Sequence, residues 1–379
     1  MSVSATVRRL ETSLRDVAAS HPAPGAVEAR VGKGRNGCWI YGAGGFGQGL
    51  ARALDAKGSR VSGFIDRGKA GGMVGALPVV APATFTLGDG AVLLIGLYNP
   101  AHGWGEPVAW ARAKGFSDIL TPVDLVDLLP EIGAFWLTPR AILQDNLPAL
   151  TQVADLLADD ASIDVLGRLL AFRLTGDPLL HPAVQADEQY LPRDFRATEL
   201  AFPNPIALLD GGAFTGDTGL FLAREGVRIS EWVAFEPDLA NFAKLVDNAA
   251  SLPTTRRSFY PLGLSDGVAD HPFDAQGAAA SRIGEGATGV VRCVSIDTAL
   301  AGFRPDYVKL DIEGAEEAAL AGMARTLDAA RPQLAISAYH KPRDLSDLAH
   351  RVRDLLPGAR LYLRQHAENC FDTVLYALT

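Results

Sequence analysis

The chain has 379 residues, 48% of them apolar, enough to build two domains with room for a third element. Its 35 basic and 44 acidic residues leave a net charge of −9, which argues against a general nucleic-acid binder. Cys38, Cys293 and Cys370 are far apart and form no CxxC, which argues against a disulfide framework or a zinc site, and neither a signal-peptide core nor an apolar run of about 18 residues is present; the expectation is a cytoplasmic protein without a membrane span.

Residues 1–35 open with a helical pattern, Val7, Leu10, Leu14 and Val17. They end in a Pro/Gly-rich run, from His21-Pro-Ala-Pro-Gly to Gly32-Lys-Gly-Arg, which reads as a flexible linker. Residues 36–130 alternate strand and helix: Cys38-Trp-Ile-Tyr, a helix over 46–57, Arg60-Val-Ser-Gly-Phe-Ile-Asp66, then Ala91-Val-Leu-Leu-Ile-Gly. The first strand runs into Gly42-Ala-Gly-Gly-Phe-Gly47, which opens the helix, and Asp66 ends the next strand. By pattern this is a dinucleotide fingerprint with its ribose acid, so Gly42, Gly44, Gly45, Phe46, Gly47 and Asp66 form a candidate nucleotide site. Residues 131–204 carry Leu and Ala at three-to-four spacing from Ala141 to Leu174 and read as a helical connector. Residues 205–379 alternate strand and helix again and end in Arg360-Leu-Tyr-Leu-Arg and Asp372-Thr-Val-Leu-Tyr-Ala-Leu, two strands of an antiparallel hairpin. The fold class is α/β: a doubly wound sheet with that hairpin, preceded by a smaller Rossmann-like domain.

The densest signal lies in the last part. A strand ending at Leu209 delivers Asp210-Gly-Gly-Ala-Phe-Thr-Gly-Asp-Thr218, a turn in which glycine lets a ligand approach backbone. Glu236 ends the next strand, Trp232-Val-Ala-Phe-Glu, at the spacing of a carboxylate that holds ribose hydroxyls, and Pro237 follows it. Ser265 and Asp266 sit in Gly263-Leu-Ser-Asp-Gly267. Acids at successive strand ends suit a neutral-to-cationic nucleoside, and S-adenosylmethionine, with its sulfonium and amino group, fits. Farther on, Pro305-Asp-Tyr-Val-Lys-Leu-Asp-Ile-Glu-Gly-Ala-Glu316 places Asp311 at the sheet's carboxyl edge. These blocks, with Phe235-Glu-Pro and Tyr339-His, resemble the FkbM-type methyltransferases over about residues 186–379. The resemblance implies a class I S-adenosylmethionine-dependent fold and methyl transfer, usually to a hydroxyl of a sugar or natural product.

The candidate cofactor residues are Asp210, Gly211, Gly212, Ala213, Phe214, Thr215, Asp217, Thr218, Glu236, Pro237, Ser265 and Asp266. Several have plain alternatives. Asp217 can cap the following helix, Asp266 can cap a turn, and Gly212 and Gly216 shape the turn whether or not a ligand is there. Lys309 shares a face with Asp311 inside an apolar strand, so a buried ion pair competes with a catalytic role. Glu313 and Glu316 open the next helix, where acids favour the dipole. The resembled family has a histidine at the positions of His340 and His366. A sugar hydroxyl is a weak nucleophile and needs a base; His340 is the leading candidate, with Asp311 as its partner or substitute and Lys309 beside them. A divalent metal is not expected, although Asp311 and Glu313 carry suitable oxygens.

The first Rossmann-like part resembles the N-terminal domain of sugar acyltransferases, through Tyr41-Gly-Ala-Gly-Gly-Phe-Gly, Gly63-Phe-Ile-Asp66 and Val74-Gly-Ala-Leu-Pro78. That resemblance implies a nucleotide-sugar site; an empty retained fold is the alternative. The reading is an O-methyltransferase acting on a sugar or glycoconjugate, as in polysaccharide assembly. An NAD(P)-dependent sugar oxidoreductase and a non-catalytic nucleotide-sugar binding protein are the other classes in play.

Overall fold

The computed structural model describes residues 4–20, 24–33, 37–88, 90–196, 203–274, 282–283 and 289–379. The chain forms two compact units. One comprises Met1–Asp155, Ile163–Val184 and Ala367–Phe371; the other comprises Leu156–Ser162, Gln185–His366 and Asp372–Thr379. Residues 131–204, read in sequence as a connector, are thus shared between both.

The first unit is built on a six-stranded sheet. Cys38–Tyr41 lies at its middle, pairing in parallel with Val61–Ile65 on one side and Val92–Ile95 on the other. Asp118–Leu120 extends one flank, and Leu77–Val80, with Met73–Val74 antiparallel to it, extends the other. Its strands are buried: Ile40, Phe64, Ile65 and Leu94 are fully enclosed, as are Leu50 and Leu54 of helix Gly45–Ala56. The fully apolar strands suit a parallel sheet covered on both faces. The linker expectation for residues 1–35 gives way over Pro24–Lys33, which is helical. Proline suits a first helical position because its missing N–H has no intrahelical partner there anyway. Val27 and Val31, one turn apart, are buried and give the helix an apolar stripe. The rest of that run, 21–23 and 34–35, lies outside the described residues.

The second unit holds a seven-stranded sheet. Counted along the chain, its strands are Ile206–Gly211, Ile229–Phe235, Arg256–Tyr260, Tyr307–Leu310, Gln333–Ser337, Arg360–Gln365 and Thr373–Leu378. Their spatial order is sixth, seventh, fifth, fourth, first, second, third. All neighbours are parallel except the last strand, which is antiparallel to both of its partners. The C-terminal hairpin is therefore present, and it closes one side of the sheet. The first strand faces the second on one side and the fourth on the other, so the sheet reverses direction of growth there. Ligands of such sheets bind outside the strands' carboxyl ends at that reversal. A separate four-stranded sheet contains Gly263–Leu264, Ala269–Asp274, Arg282–Ile283 and Gly289–Val294.

Candidate active site

Register fixes the floor of the site in the second unit. Lys309 stands opposite Asp210, and Gly211 opposite both Leu310 and Phe235. The loop Gly212–Gly216 then turns on three residues with positive φ: Gly212 at +69°, Phe214 at +46° and Gly216 at +84°. A Cβ at Gly212 would lie 1.8 Å from the Asp311 carbonyl oxygen, so packing alone requires glycine there. The loop is pinned to the end of the second strand. Gly212 and Ala213 donate their N–H groups to the Phe235 carbonyl, at 2.9 and 3.0 Å, and Phe214 donates to the Glu236 carboxylate at 2.8 Å. The helix begins at Asp217, capped by the left-handed backbone of Gly216 and not by a side chain. Asp217 is its first residue, where a carboxylate favours the helix dipole. Thr218 is buried, and Thr215 accepts at its carbonyl from Asn248 Nδ2.

Asp210 is fully buried, as is Lys309, and their charged atoms lie 3.4 Å apart. The ammonium group also donates to the carbonyls of Gly211, at 3.2 Å, and Gly212, at 2.5 Å. Burial works against the charge on Lys309, but Asp210, Asp311 and Asp217 outweigh it and hold its pKa above the usual value. A lysine so held carries its charge among the acids of the site. It ties the glycine loop to the fourth strand and offsets the acids around it.

Glu236 is buried and accepts from the N–H groups of Phe214 and Asp238, one on each oxygen. Burial raises its pKa to about 7, against those hydrogen bonds. Ser265 is buried and Asp266 exposed; they follow the short strand of the four-stranded sheet, and the Ser265 hydroxyl donates to Asp266 at 3.2 Å.

Beyond the fourth and fifth strands Asp311 and His340 come together, with Nε2 of His340 3.4 Å from Asp311 and 3.8 Å from Glu313. The other ring nitrogen, Nδ1, is 2.9 Å from Glu316, which also accepts from the Ile312 N–H. Burial disfavours an imidazolium, but Glu316, Asp311 and Glu313 reverse that and raise the His340 pKa to about 10. The ring is enclosed, its side chain 1% exposed, whereas the Asp311 side chain is 26% exposed. Burial alone would raise the pKa of Asp311; Lys309, His340 and the Tyr190 hydroxyl bring it below the ordinary carboxylate value.

Two residues at this site escape the sequence reading. Tyr190 donates its hydroxyl to Asp311 at 2.8 Å, from a left-handed backbone with φ of +66°. Its N–H donates to the Tyr376 hydroxyl, which lies 2.8 Å from Nε2 of His366. His366 is buried, its Nδ1 is 2.8 Å from the Gln185 carbonyl, and burial lowers its pKa to about 4. It is a neutral anchor for the Tyr376–Tyr190 chain. Nothing in the Gln-Tyr-Leu-Pro context of Tyr190 signals this. Glu316 is the other: the sequence gives a helix-dipole acid, and the structure buries it against His340. Asp311, Glu316 and His340 offer three ligand atoms within 4.8 Å of one another, the group among the described residues that could hold a metal. The His340–Glu316 separation is that of an ordinary hydrogen bond, so a proton suffices to join them.

In the first unit, Gly42 takes φ of +104°, and a Cβ on Gly47 would meet the Gly42 carbonyl oxygen at 2.1 Å. Gly44 and Gly45 have open space where a Cβ would be, and Phe46 packs on Tyr98. Asp66 is committed to backbone: one oxygen accepts from Ala43 N–H, the other from Gly68 and Lys69. It clamps the glycine turn to the next loop.

The sheet order, with its reversal beside the first strand, is that of the class I methyltransferase fold. Residues 210–367 match the family model described as Methyltransferase FkbM domain. A methyltransferase FkbM from Methylobacillus flagellatus KT is similar over 98% of this chain and 100% of its own, at 24% identity and a TM-score of 0.77. The fold is thus shared across the chain's length. A precorrin-6y C5,15-methyltransferase from Geobacter metallireducens GS-15 (12% identity, 52% of this chain and 91% of that one, TM-score 0.31) and an rRNA methylase from Streptococcus thermophilus (15%, 49% and 92%, 0.31) are more distant. No curated protein sequence matches the chain. Among the described residues, no helix is long and apolar enough to cross a membrane.

Proposed function

We propose that the second unit transfers the methyl group of S-adenosylmethionine to a hydroxyl of a sugar or glycoconjugate. The observation that carries this is the pairing of a partly exposed, ionised Asp311 with a buried His340 at the sheet edge that also presents the glycine loop and Glu236. The loop backbone and Glu236 suit a nucleoside: the two carboxylate oxygens are already aimed by backbone N–H groups and keep lone pairs for a ribose diol. The cofactor supplies an electrophilic methyl; the chain's part is to align an acceptor oxygen behind it and receive its proton. Asp311 is the group that reaches the acceptor, because His340 is enclosed behind it. His340, charged and held by Glu316, orients Asp311, and Tyr190 fixes the other carboxylate oxygen. The hydroxyl proton passes to the Asp311–His340 pair, which titrates as a unit.

Calorimetry with S-adenosylhomocysteine tests the first step. Wild-type protein should bind it, and Glu236→Ala should weaken binding about ten- to a hundredfold, the loss of a charged hydrogen-bond partner of about 1.5–3 kcal/mol. No heat at millimolar ligand would sink the reading. Rates with S-adenosylmethionine and a sugar acceptor test the second step. His340→Gln and Tyr190→Phe should lower kcat with little change in donor affinity. The wild-type rate should be level from pH 7 to 9, since Asp311 is already ionised; a tenfold rise per pH unit there would instead make neutral His340 the base. Chelator should have little effect, and Mg²⁺-dependent recovery would assign Asp311 to a metal.

A further inference from the structure

Asp372 is an acid that the methyl-transfer step leaves without a task. The last strand of the large sheet pairs antiparallel with the fifth, Val374 opposite Ser337, and Ala338 donates its N–H to the Thr373 carbonyl at 2.8 Å. That register carries Asp372 to the level of Tyr339, next to His340. The Asp372 carbonyl accepts from the His366 N–H at 3.1 Å. Its carboxylate accepts from the Tyr339 hydroxyl and the Gln189 amide. Gln189 also donates to the Tyr190 hydroxyl at 3.0 Å, and that hydroxyl donates to Asp311. One connected set of hydrogen bonds thus fixes both carboxylates.

Three non-glycine residues of this site have left-handed backbones: Tyr190 at +66°, Glu313 at +56° and Asp372 at +51°. Such conformations are uncommon outside glycine and persist where the surrounding structure imposes them, as at ligand sites. Two of the three are acids, and both are open to solvent in part. The Glu313 side chain is 18% exposed, and Asp372, like Asp311, is partly exposed, whereas Tyr190, Tyr339 and His340 are buried.

The charge at this rim is one-sided. His340 brings one positive charge against Glu316, Asp311 and Glu313. Lys309 is matched by Asp210 and by the carbonyls of the glycine loop. Lys341 packs its stem near Gly314 but is exposed, where water and salt screen its charge. Asp372 adds a further acid. Burial and the charge of Asp311 raise its pKa to about 6, so at pH 8 it is ionised. A cleft lined by one sign of charge gathers the opposite sign and turns away its own.

We infer that Asp372, with Glu313, selects the acceptor by charge: the site takes a neutral or amine-bearing hydroxyl compound and turns away one with a carboxylate or phosphate beside the reacting hydroxyl. The inference rests on the methyl-transfer reading and adds to it the residues that discriminate between acceptors.

The test begins with calorimetry at pH 8, comparing S-adenosylhomocysteine with sinefungin, which carries an ammonium where the transferable methyl would be. Sinefungin should bind about tenfold more tightly. Asp372→Asn keeps the side-chain shape and a residue type that tolerates positive φ. That substitution and Glu313→Gln should each cut the sinefungin advantage about threefold or more, with S-adenosylhomocysteine affinity level in both variants. A second arm offers glucose, glucosamine, glucuronate and glucose 6-phosphate with S-adenosylmethionine and reads the methylated product by mass. Glucosamine should react at least as fast as glucose and glucuronate about tenfold more slowly, and Asp372→Asn should narrow that gap. Sinefungin binding no tighter than S-adenosylhomocysteine, an advantage that survives both substitutions, or glucuronate reacting as fast as glucose would overturn the inference and leave the donor site standing. A protein that binds neither analogue would instead remove the methyl-transfer reading itself, and this inference with it.

Discussion

On the proposed reading, the Glu236 carboxylate couples ligand binding to pH. Its pKa is raised to about 7 by burial, so near neutrality it is divided between charged and neutral forms. Only the charged form offers both oxygens to a ribose diol. S-adenosylhomocysteine affinity should therefore be level above pH 7 and fall below it, by up to about tenfold per pH unit, with Glu236→Gln weaker but flat. Titration calorimetry from pH 5.5 to 8.5 reads this, and a wild-type affinity level over that range would remove Glu236 from the binding of the ligand. For folding without ligand the sign is opposite. A carboxyl whose folded pKa is raised contributes most below its unfolded value, and that contribution is lost as pH rises through 7. Bound ligand offsets the loss, so the stabilisation it gives should be greater at pH 8 than at pH 6.

At the scale of the element, the fourth strand is the one to perturb, because it carries Lys309 in its middle and Asp311 just beyond its end. Lys309→Met removes the cation and leaves Asp210 buried without it. Breaking such a pair costs about 3–5 kcal/mol, and Asp210→Asn added to it should restore most of the loss. Chemical denaturation of the single and double variants measures this; a single variant as stable as wild type would mean that the pair contributes nothing. The sequence made this strand legible because four apolar-flanked positions with one lysine leave few alternatives, and the ordered acids at strand ends placed Asp210, Glu236 and Asp311 along one sheet edge. It could not show that Asp210 lies beneath the loop, since burial of a strand-end acid depends on what folds over it. Tyr190 was illegible for another reason. Its contact with Asp311 spans 121 residues and depends on a left-handed backbone that no local pattern of tyrosine favours. The helix at Pro24–Lys33 was hidden by composition, because glycine and proline read as a linker until Val27 and Val31 find a surface to cover.

For the whole molecule, the two units each have their own sheet and core, yet neither is a continuous stretch of chain. Residues 163–184 and 367–371 complete the first unit, and both segments contribute to the wall of a cavity beside Gly42. Ending the chain after residue 366 removes the last strand of the large sheet together with Glu368 and Asn369. Such a truncation should lose S-adenosylhomocysteine binding and the cooperative melting of the first unit together. A truncated protein that kept either would show that the missing segment is dispensable to that unit. The same threading orders events during synthesis. A ribosome finishes the glycine turn at Gly42–Gly47 more than 300 residues before it reaches Asn369, so the nascent first unit must wait with an unfinished wall while nearly all of the second is made.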